Sequence, residues 1–155
     1  MRRTLLVLMG FAAGLTIEAS ISSASEIPEL RLMAITELKA DRSGHFVTDA
    51  DINGRSVRVL VDTGATVVAL SYEDASDIGL RPGSLDYNVP VSTANGVAQA
   101  ARVKLDQVSI DGIEVEDVEG LVLPKGALRG TLLGMSFLGR LGSFRIEDGV
   151  LYLKD

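Results

Sequence analysis

Apolar and polar residues alternate along most of this chain, and the alternation breaks at short turn signals. Phe46, Thr48, Ala50 and Ile52 share one face of a strand, and Val57, Val59 and Val61 share one face of the next. Between them Asn53-Gly54 predicts a two-residue hairpin turn, because both positions need positive φ. The apolar run over residues 67–70 reads as a further short strand. Ser71, with Asp74 three residues on, resembles a capping box, and Ala75, Ile78 and Gly79 supply an apolar face and a stop. The pattern therefore predicts a helix over residues 72–78. A hairpin is expected over residues 89–105, tipped by Asn95-Gly96. Strands follow at residues 108–110 and at Ile113–Val122, around an Asp111-Gly112 turn. A short helix over residues 135–141 precedes a last hairpin, residues 144–146 and 150–153, turned by Asp148-Gly149. Many short strands, tight turns and two brief helices describe a mainly β, largely antiparallel domain.

The N-terminal segment departs from this pattern. Arg2 and Arg3 precede an uncharged apolar run over residues 5–17, and Glu18 ends it before a small-residue stretch containing Ser22 and Ala24. This is the layout of a signal peptide over residues 1–24, or of a signal anchor if it stays uncleaved. The run is thirteen residues long, short of the roughly 20 that cross a bilayer as a helix. Export is the expectation: a periplasmic protein, or one held at the inner membrane by a tether through residues 4–17 with its domain in the periplasm. Residues 25–44 read as a linker or edge strand, polar, with Pro28 and a Ser43-Gly44 break, and with Leu30, Leu32 and Ala34 in alternation. Residues 45–155 make the main domain.

Composition narrows the classes. With 155 residues, 46% of them hydrophobic, the chain suits one domain with a real core. A net charge of −6 and the absence of a basic stripe argue against nucleic acid as a partner. Without cysteine there are no disulfides, thiolate metal sites or cysteine nucleophile. His45 is the only histidine, which supports neither a zinc site nor a Ser-His-Asp triad. Residues 49–54 match the first half of a calcium loop, but Leu60 occupies the position of its bidentate Glu. No metal and no cofactor is expected. The Glu114 to Asp117 stretch reads as a solvated strand face, and Tyr72 and Tyr87 as core or rim packing.

One carboxylate stands out. Asp62-Thr63-Gly64 follows Val59-Leu60-Val61 and precedes Ala65-Thr66-Val67-Val68. Enclosure by apolar strands on both sides makes an isolated charge costly, so this carboxylate needs a partner that shares a proton or supplies donors. About seventy residues on comes Leu132-Leu133-Gly134, followed by Met135-Ser136-Phe137-Leu138. Together with Gly44-His45-Phe46 and Thr93-Ala94-Asn95-Gly96, these segments resemble the retropepsin-like aspartic proteases, most closely their proteobacterial exported or membrane-tethered branch. The resemblance runs from about Gly44 to Leu153.

The resemblance implies an acid protease fold, a small closed β-barrel-like domain with a flap hairpin and one or two short helices, working as a homodimer on a polypeptide substrate. Asp62 would be the catalytic residue. Thr63 would make interlocking hydrogen bonds between two Asp loops, and Gly64 would let the backbone approach substrate closely. Ala65, Leu133 and Gly134 would support the loop, while Thr93, Ala94, Asn95 and Gly96 would form the flap over the substrate. Peptide hydrolysis without a metal or covalent nucleophile needs a base for water and an acid for the carbonyl oxygen. Two carboxylates about 3 Å apart fill both roles by sharing one proton. Only one Asp-Thr-Gly occurs, so the second carboxylate would be Asp62 of another copy across a twofold axis. Where viral relatives carry an Asp–Arg ion pair near the interface, this chain has Thr66 and Met135. The dimer would then rest on other contacts, expected at the strand over residues 150–153. Two readings compete: a catalytically silent retropepsin-fold module that dimerises and holds peptides, and an unrelated small β-barrel binding protein.

Overall fold

The computed structural model describes residues 34–93 and 96–155. The strands are β1 (Ile35–Lys39), β2 (Val47–Ile52), β3 (Arg55–Val61), β4 (Val68–Leu70), β5 (Tyr87–Thr93), β6 (Gly96–Ile110), β7 (Ile113–Val122), β8 (Thr131–Leu133), β9 (Ser143–Glu147) and β10 (Val150–Lys154). Two short helices, α1 (Tyr72–Asp77) and α2 (Met135–Leu138), follow β4 and β8. The expected signal segment and tether, with Leu30 and Leu32, lie outside the described residues, as do Ala94 and Asn95 of the expected flap. Among the described residues no helix is long and apolar enough to cross a membrane.

Turn chemistry produces three of the hairpins. Asn53-Gly54, Asp111-Gly112 and Asp148-Gly149 have φ of 53° and 78°, 46° and 86°, and 50° and 74°. Positive φ at both positions gives the mirror-image turn whose twist matches that of the strands it joins. These turns connect β2 to β3, β6 to β7 and β9 to β10.

β2, β3, β8, β4, β7 and β6 are neighbours in that order, and Asp51 and Ile52 of β2 pair back onto Ser109 and Val108 of β6. The sheet thus closes into a six-stranded barrel, with β5 continuing from the first part of β6. Alternation places the core: Ala50, Ile52, Val57 and Val59 face inward and are buried, packed with Leu105, Val118, Leu133 and Phe137. One expected break is absent. Residues 96–110 form a single strand of 15 residues, paired first with β5 and then with β7 and β2. Leu105 and Val108 are both buried, so the alternation slips by one residue there without ending the strand.

Both helices are shorter than the pattern predicts. Ser71 caps α1 by accepting the Asp74 N–H at 3.0 Å. The other half of the capping box does not form, because the Asp74 carboxylate accepts from Thr131 Oγ1 at 2.7 Å and ties α1 to β8. α2 has only four residues and ends at Gly139.

A second, three-stranded sheet has the order β1-β10-β9. β10 pairs antiparallel with β1 from Ile35↔Lys154 to Lys39↔Val150, and with β9 from Val150↔Glu147 to Lys154↔Ser143. This corrects the expectation that residues 150–153 pair across a twofold. Both edges of β10 are taken within the chain, and a central strand has no backbone groups left to offer. Among the described residues, the outer edges of this sheet belong to β1 and β9.

Candidate active site

Asp62 is the first residue after β3. In the barrel β8 lies between β3 and β4, parallel to the first and antiparallel to the second. The chain must therefore cross the end of β8 to pass from β3 to β4, and Gly134 sits at that crossing. A Cβ on Gly134 would lie 2.2 Å from the Val67 carbonyl oxygen and 2.6 Å from that of Ala65. No side chain fits there.

Hydrogen bonds fasten the loop on both sides of the crossing. Asp62 N–H donates to Leu133 C=O at 3.1 Å, Met135 N–H to Ala65 C=O at 2.8 Å, and Ala65 N–H to Asp62 C=O at 3.2 Å. Ser136 Oγ accepts from Val68 N–H at 2.9 Å and donates to Glu119 C=O at 2.7 Å, joining the loop exit to β7. Leu133 is fully buried behind the loop. A short apolar strand, a glycine and a helix start thus hold one acidic loop by its backbone.

The carboxylate is oriented locally. Gly64 N–H donates to Asp62 Oδ1 at 2.8 Å, and a Cβ on Gly64 would stand 3.1 Å from the same oxygen. Asp62 is half-buried, while Thr63 and Gly64 are exposed. This corrects the expected enclosure: the flanking strands bury Val59, Val68 and Leu70, but the carboxylate itself faces a cleft. The Thr63 hydroxyl makes no hydrogen bond among the described residues.

The cleft has a volume of about 880 Å³. Its floor follows from strand register. Leu121 of β7, Ala69 of β4 and Leu132 of β8 are cross-strand partners, and all three line the cleft. Their neighbours Val68, Leu70, Val122 and Leu133 point the other way and are buried. The end of β5 and the loop before β8 border it, with Thr93 and Arg129 among the lining residues. Thr93 Oγ1 donates to the Gly96 C=O at 2.8 Å, and Gly96 has φ 108°. Of the residues expected around the site, Asp62, Gly64, Ala65 and Thr93 line the cleft, whereas Leu133 and Gly134 stand behind it.

Sequence reasoning missed Ser136 and Arg129. Ser136 has one signal, a hydroxyl in the otherwise apolar helix Met135–Leu138. Arg129 has one too, a charge between Leu128 and Gly130 in a loop of small and apolar residues. Away from the cleft, hydrogen bonds from the backbone N–H groups of His45 and Ser43 hold Asp41 below the usual carboxylate range. Burial raises the Tyr87 phenol, whose hydroxyl donates to Pro82 C=O at 3.1 Å. Among the described residues no group of three or more His, Cys, Asp or Glu side chains comes together as a metal site.

Known proteins resemble this chain in sequence and in fold. A family model described as gag-polyprotein putative aspartyl protease matches residues 48–140. An uncharacterized protein from Sinorhizobium sp., from the cobV 5′ region, is 47% identical over 113 residues, which are 73% of this chain and 48% of that protein. An uncharacterized protein from Rickettsia prowazekii is 41% identical over 110 residues, 71% of this chain and 47% of that protein. The chain thus spans about half the length of these curated relatives. The crystal structure of a retropepsin-like aspartic protease from Rickettsia conorii matches with a TM-score of 0.73 at 36% identity, covering 79% of this chain and 92% of that one. The EIAV protease complexed with the inhibitor HBY-793 matches with a TM-score of 0.55 at 21% identity, over 66% of this chain and 93% of that one. At that identity the second likeness speaks for the fold alone.

Proposed function

The chain belongs to the retropepsin-like aspartic proteases, and from that premise we propose that it is an aspartic endopeptidase whose working site is assembled from two copies. The observation that carries this reading is the placement of Asp62: a single carboxylate on a loop held rigidly by β8, half-buried at an open cleft, beside a Thr63 hydroxyl that has no partner among the described residues. One carboxylate cannot act as base and acid in the same step. Two of them, brought to about 3 Å by a twofold axis, share one proton. The ionised member takes a proton from the attacking water while the protonated member gives its own to the carbonyl oxygen. A tetrahedral diol forms, and it collapses as a proton passes to the departing amine. The apolar floor of the cleft suits side chains of an extended polypeptide.

The edge of β9 is the surface we assign to the second copy. Antiparallel pairing of β9 with itself about Arg145 sets Phe144 against the partner's Ile146, on the face that packs Leu151 and Leu153 within the chain. Ile146 is 58% exposed in one chain, and this contact would cover it. The signal-like sequence pattern over residues 1–24 favours a periplasmic site of action, free or tethered.

Incubating the full chain with unstructured casein between about pH 4 and 7 tests the reading, beside Asp62→Asn. Cleavage by the native protein and none by an equally folded variant is the expected result. Cleavage by both, or by neither at concentrations where the native protein is dimeric, goes against it.

A further inference from the structure

Among the described residues that line the cleft with Asp62, one other is charged, and it is a cation. Arg129 lies in the loop between β7 and β8 and lines the cleft together with Leu128 and Ala127 of the same loop. Its side chain is exposed. Among the described residues it makes no ion pair and no hydrogen bond. Asp62 and Arg129 border the same space without pairing, so the guanidinium is not neutralised by the carboxylate that lines the cleft. Lys125, earlier in the same loop, does not line the cleft. Four exposed cations elsewhere pair with carboxylates: Arg58 with Asp49, Arg102 with Glu119, Lys104 with Asp117 and Arg145 with Glu147. Arg129, like Arg55, Arg81 and Lys125, has no such pair among the described residues. Arg129 is thus an unmatched planar donor at the edge of an apolar groove.

We propose that Arg129 selects substrates carrying an acidic side chain beside the apolar residues seated over Leu121, Ala69 and Leu132. A guanidinium offers a fork of N–H donors that fits a carboxylate with two parallel bonds, and the low-dielectric wall of a groove strengthens that contact relative to water. The net charge of −6 disfavours acidic peptides at long range. A preference for them therefore reports a local contact. This inference rests on the endopeptidase reading and deepens it by naming the substrate class. In a twofold assembly Arg129 occurs on both sides of the carboxylate pair, so peptides with an acidic residue on each side of the cleaved bond are the best substrates.

The test uses extended peptides blocked at both termini, with a common apolar centre and Glu, Gln or Lys at the flanking positions. Their cleavage by the full-length native protein is compared with cleavage by Arg129→Gln and Arg129→Glu, and their binding to Asp62→Asn is measured by fluorescence anisotropy. The native protein favours the Glu peptide over the Gln peptide by about ten-fold in kcat/KM, and the Asp62→Asn protein favours it similarly in Kd. Arg129→Gln brings both ratios near unity, and Arg129→Glu turns the preference toward Lys. The native ratio shrinks as salt is raised and the Debye length falls from about 10 Å toward 3 Å. Cleavage with no charge preference, or a preference that survives in Arg129→Gln, overturns the assignment while leaving the protease reading intact. Absence of cleavage together with Glu-selective binding sinks the protease reading and keeps Arg129 as the selecting residue. Absence of both overturns the two together.

Discussion

Gly134→Ala adds one methyl group at the point where the Asp62 loop crosses β8. The new Cβ would stand 2.2 Å from the Val67 carbonyl oxygen and 2.6 Å from that of Ala65, where ordinary contact begins near 3.4 Å. The loop must therefore lift by about 1 Å, and both atoms in the way are backbone, which no rotamer change can move. Overpacking of a tight site costs about 1–3 kcal/mol. Weakening the Met135–Ala65 and Asp62–Leu133 hydrogen bonds adds about 0.5–1.5 kcal/mol for each. The expected loss is about 2–6 kcal/mol, large against a domain stability of about 5–15 kcal/mol. In a chain of this size it lowers Tm by about 4–24 °C. The lifted loop also carries the carboxylate away from its place, and a displacement near 1 Å costs roughly 10²-fold in rate. Circular dichroism melts give the first number, casein turnover the second, and amide exchange at Asp62 and Met135 reports the loop itself. A melting point within about 2 °C of native, with protection unchanged at those two amides, would refute the claim that the loop rests on Gly134.

Gly64→Ala separates chemistry from stability: its Cβ would meet only Asp62 Oδ1, at 3.1 Å, so the fold loses less than about 1 kcal/mol while cleavage falls roughly 10²-fold. Turnover at the native rate would show that the Gly64 contact does not aim the carboxylate. Ser136→Ala strands the Val68 N–H and the Glu119 C=O and costs about 1–3 kcal/mol, read as a lower denaturant midpoint. Ile146→Glu, at a side chain 58% exposed, leaves the monomer within about 0.5 kcal/mol of native but weakens self-association in sedimentation runs. An unaltered dimer constant moves the interface off β9. The depressed Asp41 carboxylate stabilises the fold above its ordinary pKa of 3.8, and that contribution fades as pH falls through its lower folded value. Asp41→Asn therefore flattens the acid limb of a urea-midpoint profile, and an unchanged limb counts against the turn contacts from His45 and Ser43.

Most of the barrel is legible in the sequence because its causes are local. Alternation over residues 46–61 and the Asn53-Gly54 turn name a hairpin, its inward face and its register without reference to anything distant. The place of β8 is not local. Thr131-Leu132-Leu133 is too short to show a period, and its insertion between β3 and β4 depends on pairing with both. The need for glycine at position 134 likewise lies in the Ala65 and Val67 carbonyls, which no window around Gly134 contains. β10 misleads for the opposite reason. An apolar terminal strand reads as open, and only β1, inside the segment read as linker or edge strand, and β9 reveal that both its edges are paired. The Asp74 carboxylate misleads in the same way, since a capping box describes a local partner and Thr131 is a distant one.

The Asp62 loop and its supports are complete within one chain, and this changes what assembly has to accomplish. Leu133, Gly134, Met135 and Ser136 hold the backbone on either side of the carboxylate without help from a partner. A second copy would therefore add charge and a hydroxyl contact at Thr63 to a loop already in position, with little ordering to offset on association. The like-charge repulsion that makes two carboxylates share a proton would arise only on pairing, because each chain brings a single Asp62 to the site. Activity should then follow dimer concentration, rising with the square of protein concentration at high dilution and linearly once the dimer is saturated. A strictly linear dependence down to concentrations where sedimentation finds only monomers would place the catalytic unit within a single chain, and the two-copy site would have to be abandoned.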